Sequence, residues 1–111
     1  MDASNEVLLV GRLAAAAQER ELPSGDLLTT WRLVVDRPPR TLPEGVRQPS
    51  IDTFDCATWS AGVRKQVAAY SPGDVLRVEG ALRRRFWRAG TSAASRYEVE
   101  VTRVKRVAKA A

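Results

Sequence analysis

The chain has no histidine, a single cysteine and few aromatic rings, and each shortage closes off a class of chemistry. Without histidine it lacks the usual general base, the usual partner of a nucleophilic serine or cysteine, and the commonest metal ligand. Its acidic residues are scattered (Asp26, Asp36, Asp52, Asp55 and Asp74 among them), and no glycine-rich phosphate loop stands ahead of a helix. No catalytic residue, metal site or cofactor is therefore expected. Cys56 alone cannot close an internal disulfide, and the N-terminus shows no basic segment followed by an apolar run, so a cytoplasmic protein is the default. No apolar stretch approaches the ~20 residues that span a bilayer, and the basic residues do not line one face of a long helix, which disfavours membrane binding.

What remains is a basic chain of 111 residues, long enough for one domain with its own core, which we assign to residues 1–107 with a short basic end at 108–111. The formal charge of +5 and a pI near 10.1 make polyanions the leading partner class. Two of the rings sit among unusual neighbours. In the run Ile51 to Trp59, the positions that alternate with Trp59 are Thr53, Asp55 and Ala57, too polar a set for a core. In Ala81 to Trp87 the face bearing Trp87 also bears Ala81, Arg83 and Arg85, and Arg88 follows at once. Bases stack on indole with a gain of roughly 1–3 kcal/mol each, and guanidinium groups hold the adjoining phosphates. Exposed rings interleaved with arginine thus suit single-stranded nucleic acid, whose base faces are open.

Along the chain, Glu6 to Leu13 reads as a first strand, with Gly11 marking a bend or bulge. Ala14 to Asp26 reads as a hairpin connection, closed by the turn formers Pro23, Ser24 and Gly25. A second strand over Leu27 to Asp36 alternates, with Trp31, Leu33 and Val35 facing the core. Arg37 to Ser50 is proline-rich and basic, a long loop of the kind that clamps ligands. The third strand, Ile51 to Trp59, buries Cys56 as a small hydrophobe. Ala61 to Tyr70 then places Val63, Val67 and Tyr70 at helical spacing behind Ser60 as N-cap. Ser71 to Asp74 stops the helix, Val75 to Trp87 is a fourth strand, Ala89 to Ser95 is a turning tip, and Tyr97 to Val104 is a fifth strand. On that strand Tyr97, Val99 and Val101 are expected in the core, opposite Glu98, Glu100 and Thr102. An all-β chain with one short helix between its third and fourth strands is the order of an OB-fold, a five-stranded Greek-key barrel.

The words NEVLLVGRL, PSG, WRLVV and above all YSPGDVLRVEGALRRRFW resemble bacterial single-stranded DNA-binding proteins (SSB) from Asn5 to about Val107. The resemblance implies an OB-fold that binds single-stranded DNA with little sequence preference, as a homotetramer or dimer, during replication, recombination or repair near the nucleoid. It puts Trp59 and Trp87 at family stacking positions, whereas two other family aromatics fall near Pro38 or Pro39 and near Thr53. Candidate phosphate contacts are Arg12, Arg32, Arg37, Arg40, Arg47, Arg83, Arg85 and Arg88. Extra arginines, Arg84 included, are expected to shift affinity from stacking toward charge. Val104 to Ala111 is basic and carries no acidic tip of the kind with which the family recruits repair and replication enzymes, which leaves two readings open: a specialised form without that tail, or a tail outside this sequence. Two rivals stay open: a replication-restart accessory OB-fold protein that bridges partner proteins, and a basic OB module for structured RNA.

Overall fold

A computed structural model describes residues 2–111. It contains strands β1 (Val7–Leu13), β2 (Gln18–Glu21), β3 (Leu27–Asp36), β4 (Ile51–Thr58), β5 (Val75–Ala89) and β6 (Ser92–Ala108), with helix α1 (Ala61–Ala68) between β4 and β5. The sheet order is β1-β5-β6-β4-β3-β2, and β1 also pairs with β3 through Arg12 and Leu13, so five strands run round in a ring. All pairings are antiparallel apart from a short parallel stretch, Cys56 beside Val99 and Ala57 beside Glu100, that joins β4 to β6. This is the partly open five-strand arrangement of an OB-fold.

Strand alternation fills the ring. Leu13, Trp31, Leu33, Cys56, Leu76, Val78, Val99 and Val101 point inward and are buried, and Val63 and Val67 of α1 pack onto the same cluster. Each such Val or Leu side chain contributes about 1.5–3 kcal/mol on leaving water. Ser60 caps α1 as expected, its hydroxyl accepting from the Val63 N–H.

Two glycines mark places where backbones nearly touch. A Cβ on Gly11 would meet the Val34 carbonyl, and one on Gly80 would run into the backbone of Glu100. Gly11 is therefore required by the approach of β3, since no register shift falls there; the shifts in the β5–β6 ladder lie at Val75/Leu76 and Glu79/Gly80.

Four expectations are corrected. The presumed connection after β1 carries β2, which pairs with β3 from Gln18 opposite Thr30 to Glu21 opposite Leu27. Its four side chains are all exposed, so no apolar alternation announced it. The tip expected over Ala89 to Ser95 is only Gly90 and Thr91, and the ladder resumes at Ser92 opposite Ala89. Tyr97 is 59% exposed, because β4 reaches β6 only at Val99 and Glu100 and the hairpin beyond them has no third strand to cover it. Ala57, expected on the surface, is buried.

The hairpin beyond Leu82 and Val99 forms a two-stranded arm. Asn5 pins its base, its carboxamide donating to the Leu82 carbonyl at 2.7 Å and accepting from the Leu82 N–H at 2.8 Å.

At the opposite end, buried Asp74 accepts from the Ser71 N–H at 2.8 Å and the Ala110 N–H at 2.7 Å, with the Arg106 guanidinium at 3.5 Å. The backbone N–H of Ser71, then that of Ala110, then Arg106 hold its carboxyl below the usual range. A depressed native pKa stabilises the fold above the unfolded pKa, and that stability is lost as pH falls through the native value. Asp74→Ala should lower the thermal midpoint by several degrees at neutral pH, followed by circular dichroism. The gap from the parent protein should shrink as pH falls below the ordinary carboxylate range; a constant gap would refute the role of the charge.

Candidate nucleic-acid interface

The outward positions of β3 and β4 present Thr30, Arg32, Val34, Thr53 and Asp55, and the face continues through Glu98 and Glu100 of β6 to Arg83, Arg85 and Trp87 of β5. Trp87 is 46% exposed and stands opposite Ala94, whose small side chain leaves the indole uncovered. The Arg96 guanidinium lies 5.9 Å from its ring centroid. Arg20, Arg85, Phe86, Trp87 and Arg96 together line a cleft of about 340 Å³.

Trp59 lies outside that cleft, between the end of β4 and the helix cap. It is 44% exposed. Its neighbours fix its place: buried Thr58 donates to the Val101 carbonyl at 2.8 Å and accepts from the Ser60 N–H at 3.2 Å, and the Trp59 carbonyl accepts from Arg64 at 3.4 Å. Trp31 is buried, as expected from its shared face with Leu33.

Five of the eight candidate arginines are already engaged by carboxylates. Arg12 meets Asp36 at 2.8 Å, Arg32 meets Asp55 at 3.4 Å, Arg83 meets Glu100 at 2.7 Å and Arg85 meets buried Glu98 at 3.4 Å. Arg37 grips Asp52 with two bonds of 2.7 and 2.9 Å, closing the ends of the Arg37–Ser50 loop. Hydrogen bonds from Arg12 and Arg37 hold the Asp36 and Asp52 carboxyls below their ordinary range. Arg40 and Arg47 line a cavity of about 530 Å³ in that loop, and Arg88 follows Trp87 on the arm. Among the described residues these three have no carboxylate within 4.0 Å.

Two unpaired guanidiniums were missed from sequence. Arg96 shares the Trp87 face because it alternates with Glu98 and Glu100, a pattern visible once the strand is extended back to Ser92. Arg20 lies on β2 and carried no signal. The Glu98 side chain is buried and paired with Arg85, which the alternation alone did not show.

Residues 4–107 match the model of the single-strand binding protein family. The chain belongs to that family. A single-stranded DNA-binding protein of Thermotoga maritima is 32% identical over 88 residues, a match covering 78% of this chain and 61% of the relative. The chain thus spans about three fifths of that relative's length. Among solved structures, a Plasmodium falciparum SSB in complex with ssDNA superposes with a TM-score of 0.77 at 18% identity, over 95% of this chain and 94% of the other. A small single-stranded DNA-binding protein from Streptomyces coelicolor gives 0.64 at 17% identity, over 91% and 92%. These two likenesses show the shared fold. Among the described residues no helix is long and apolar enough to cross a membrane.

Cys56 sits in the core beneath this face, and burial, aided by Asp55 and Glu98, pushes its thiol up to about 12. It should resist a thiol-reactive dye at pH 8 in the folded state and react fully in denaturant. Rapid labelling of the native protein would show that the β4–β6 junction opens.

Proposed function

We propose that this protein binds single-stranded DNA with little sequence preference, coating transient strands during replication, recombination or repair. The observation that carries this reading is the half-exposed indole of Trp87 in a cleft edged by Arg20 and Arg96, two guanidiniums without a carboxylate partner among the described residues. A base stacks on the indole, the flanking phosphates lie against Arg20 and Arg96, and Arg88, on the other face of the arm, meets a phosphate farther along the strand. Trp59 offers a second ring, and Arg40 and Arg47 of the long loop meet the strand's phosphates. The paired arginines Arg12, Arg32, Arg37, Arg83 and Arg85 contribute after partial exchange of their carboxylates, which costs part of the gain. The role is binding, without catalysis, in the cytoplasm at the nucleoid.

Self-association belongs to the same proposal. From Val7 to Val10, β1 pairs with β5 on one side only, and Leu8 and Val10 are exposed beside that open edge. A second copy covers such an edge, and a homotetramer is the expected assembly, to be read from native mass.

Titration with poly(dT) at two salt concentrations, with duplex DNA as competitor, tests the binding mode. Tryptophan fluorescence should be strongly quenched, duplex should compete poorly, and the log–log salt slope should be about −0.7 per phosphate contact. Trp87→Ala should cost about 1–3 kcal/mol of affinity. Unchanged fluorescence, or equal competition by duplex, would end the stacking proposal.

The ion pairs predict a contrast among arginines. Arg96→Gln should reduce the magnitude of the salt slope by about 0.7. The double change Arg83→Gln with Glu100→Gln removes a neutral pair and should leave the slope near that of the parent protein. Equal losses in the two variants would show that pairing does not decide which arginines meet phosphate.

A further inference from the structure

The β5–β6 arm has a second face. Leu82, Arg84, Phe86 and Arg88 alternate with the Trp87 set and stand opposite Val99, Tyr97, Ser95 and Ala93. Phe86 is 70% exposed, and Tyr97 lies on the same side. The Arg84 guanidinium lies 5.1 Å from the Phe86 centroid and 5.4 Å from that of Tyr97. Its Nε and Nη2 donate to Ser95 Oγ at 3.3 and 3.1 Å, which holds the planar group in place. Neither Arg84 nor Arg88 has a carboxylate within 4.0 Å among the described residues. Two solvent-facing rings around an unneutralised, pre-oriented cation attract a ligand that is flat, apolar-faced and anionic at once.

We infer that Phe86, Tyr97 and Arg84 form a second base-stacking site for the same single strand, on the opposite face of the arm from Trp87. This rests on the proposed single-stranded DNA binding and extends it. Phe86 and Trp87 are consecutive in a strand, so their side chains leave it on opposite sides and, although both residues border the Trp87 cleft, one base cannot stack on both rings. The polynucleotide crosses the arm between them. Its tip, Ala89 to Ala94, carries no side chain larger than that of Thr91, a low wall over which a backbone passes. Charge decides against an apolar protein partner as occupant: Arg84 and Arg88 would be desolvated without a counter-charge.

The test compares Phe86→Ala, Arg84→Gln and Trp87→Ala in the full chain, using oligothymidylates of about eight and about forty nucleotides, the shorter being within the site size of one OB-fold. Phe86→Ala should weaken binding of the long oligomer about fivefold or more, and by clearly more than it weakens the short one, with the thermal midpoint unchanged. Arg84→Gln should reduce the magnitude of the long-oligomer salt slope by about 0.7. Phe86→Trp should restore long-oligomer affinity and add a second quenched indole. If Phe86→Ala leaves long-oligomer affinity intact, the second site is overturned while the Trp87 cleft stands. A change of native mass without a change in DNA affinity would overturn it in favour of a contact between copies. If even the parent protein fails to bind or quench, the proposed function itself falls, and this site with it.

Discussion

At Gly80 the backbone of β5 passes so close to Glu100 that no side chain fits between them, and the order of the whole arm depends on that contact. The β5–β6 register shifts there, so that Val104 and Val101 of β6 both reach the core although three positions separate them. Side chains alternate strictly beyond it. A slip by one residue would exchange the Trp87 face for the Phe86 face and would turn Val99 out of the core. Asn5, just ahead of β1, reinforces the register by occupying both hydrogen-bonding groups of Leu82. Burial of Val99 and Val101 thus also fixes which rings look in which direction several residues farther along.

Electrostatics sort the surface in a way that net charge does not reveal. Half-exposed ion pairs of this kind contribute only about 0–1 kcal/mol each to stability. Their larger effect is to hold guanidiniums against Asp36, Asp52, Asp55, Glu98 and Glu100, which leaves the basic patch less positive than the arginine list suggests. Among the described residues, the arginines left without carboxylates fall in two places, Arg20, Arg84, Arg88 and Arg96 on the arm and β2, and Arg40 and Arg47 in the loop. Those two places are the least neutralised parts of the surface, and each carries either exposed rings or a cavity.

Much of the fold was legible because the signals involved are local. Alternation in Leu27 to Asp36 assigned Trp31 to the core, and Ser60 with Val63 and Val67 announced the helix. The misses share one cause: they depend on which strand lies next door. Tyr97 continues the inward stripe of Val99 and Val101, but periodicity identifies a face without saying where the neighbouring strand stops. Ala57 is covered by the crossing of β6, and β2 is four polar residues held by its partner β3. The ion pairs were invisible for the same reason, since Arg32 meets Asp55 and Arg83 meets Glu100 only through register.

The family resemblance left two ring positions empty, near Pro38 or Pro39 and near Thr53, and the structure shows what stands there instead. The outward face of β3 and β4 carries Thr30, Thr53 and the Arg32–Asp55 pair, with no ring among them. The arm has gathered rings in their place: Trp87 on one side, Phe86 and Tyr97 on the other. An exposed phenylalanine beside an exposed tyrosine, on a hairpin with no third strand, adds nothing to the core, so packing does not account for it. Binding does. On the proposed reading, moving stacking surface from the rigid ring to a two-stranded arm also changes its mechanics, because a ribbon twists more readily than a closed sheet and would let its rings follow the bases stacked on them.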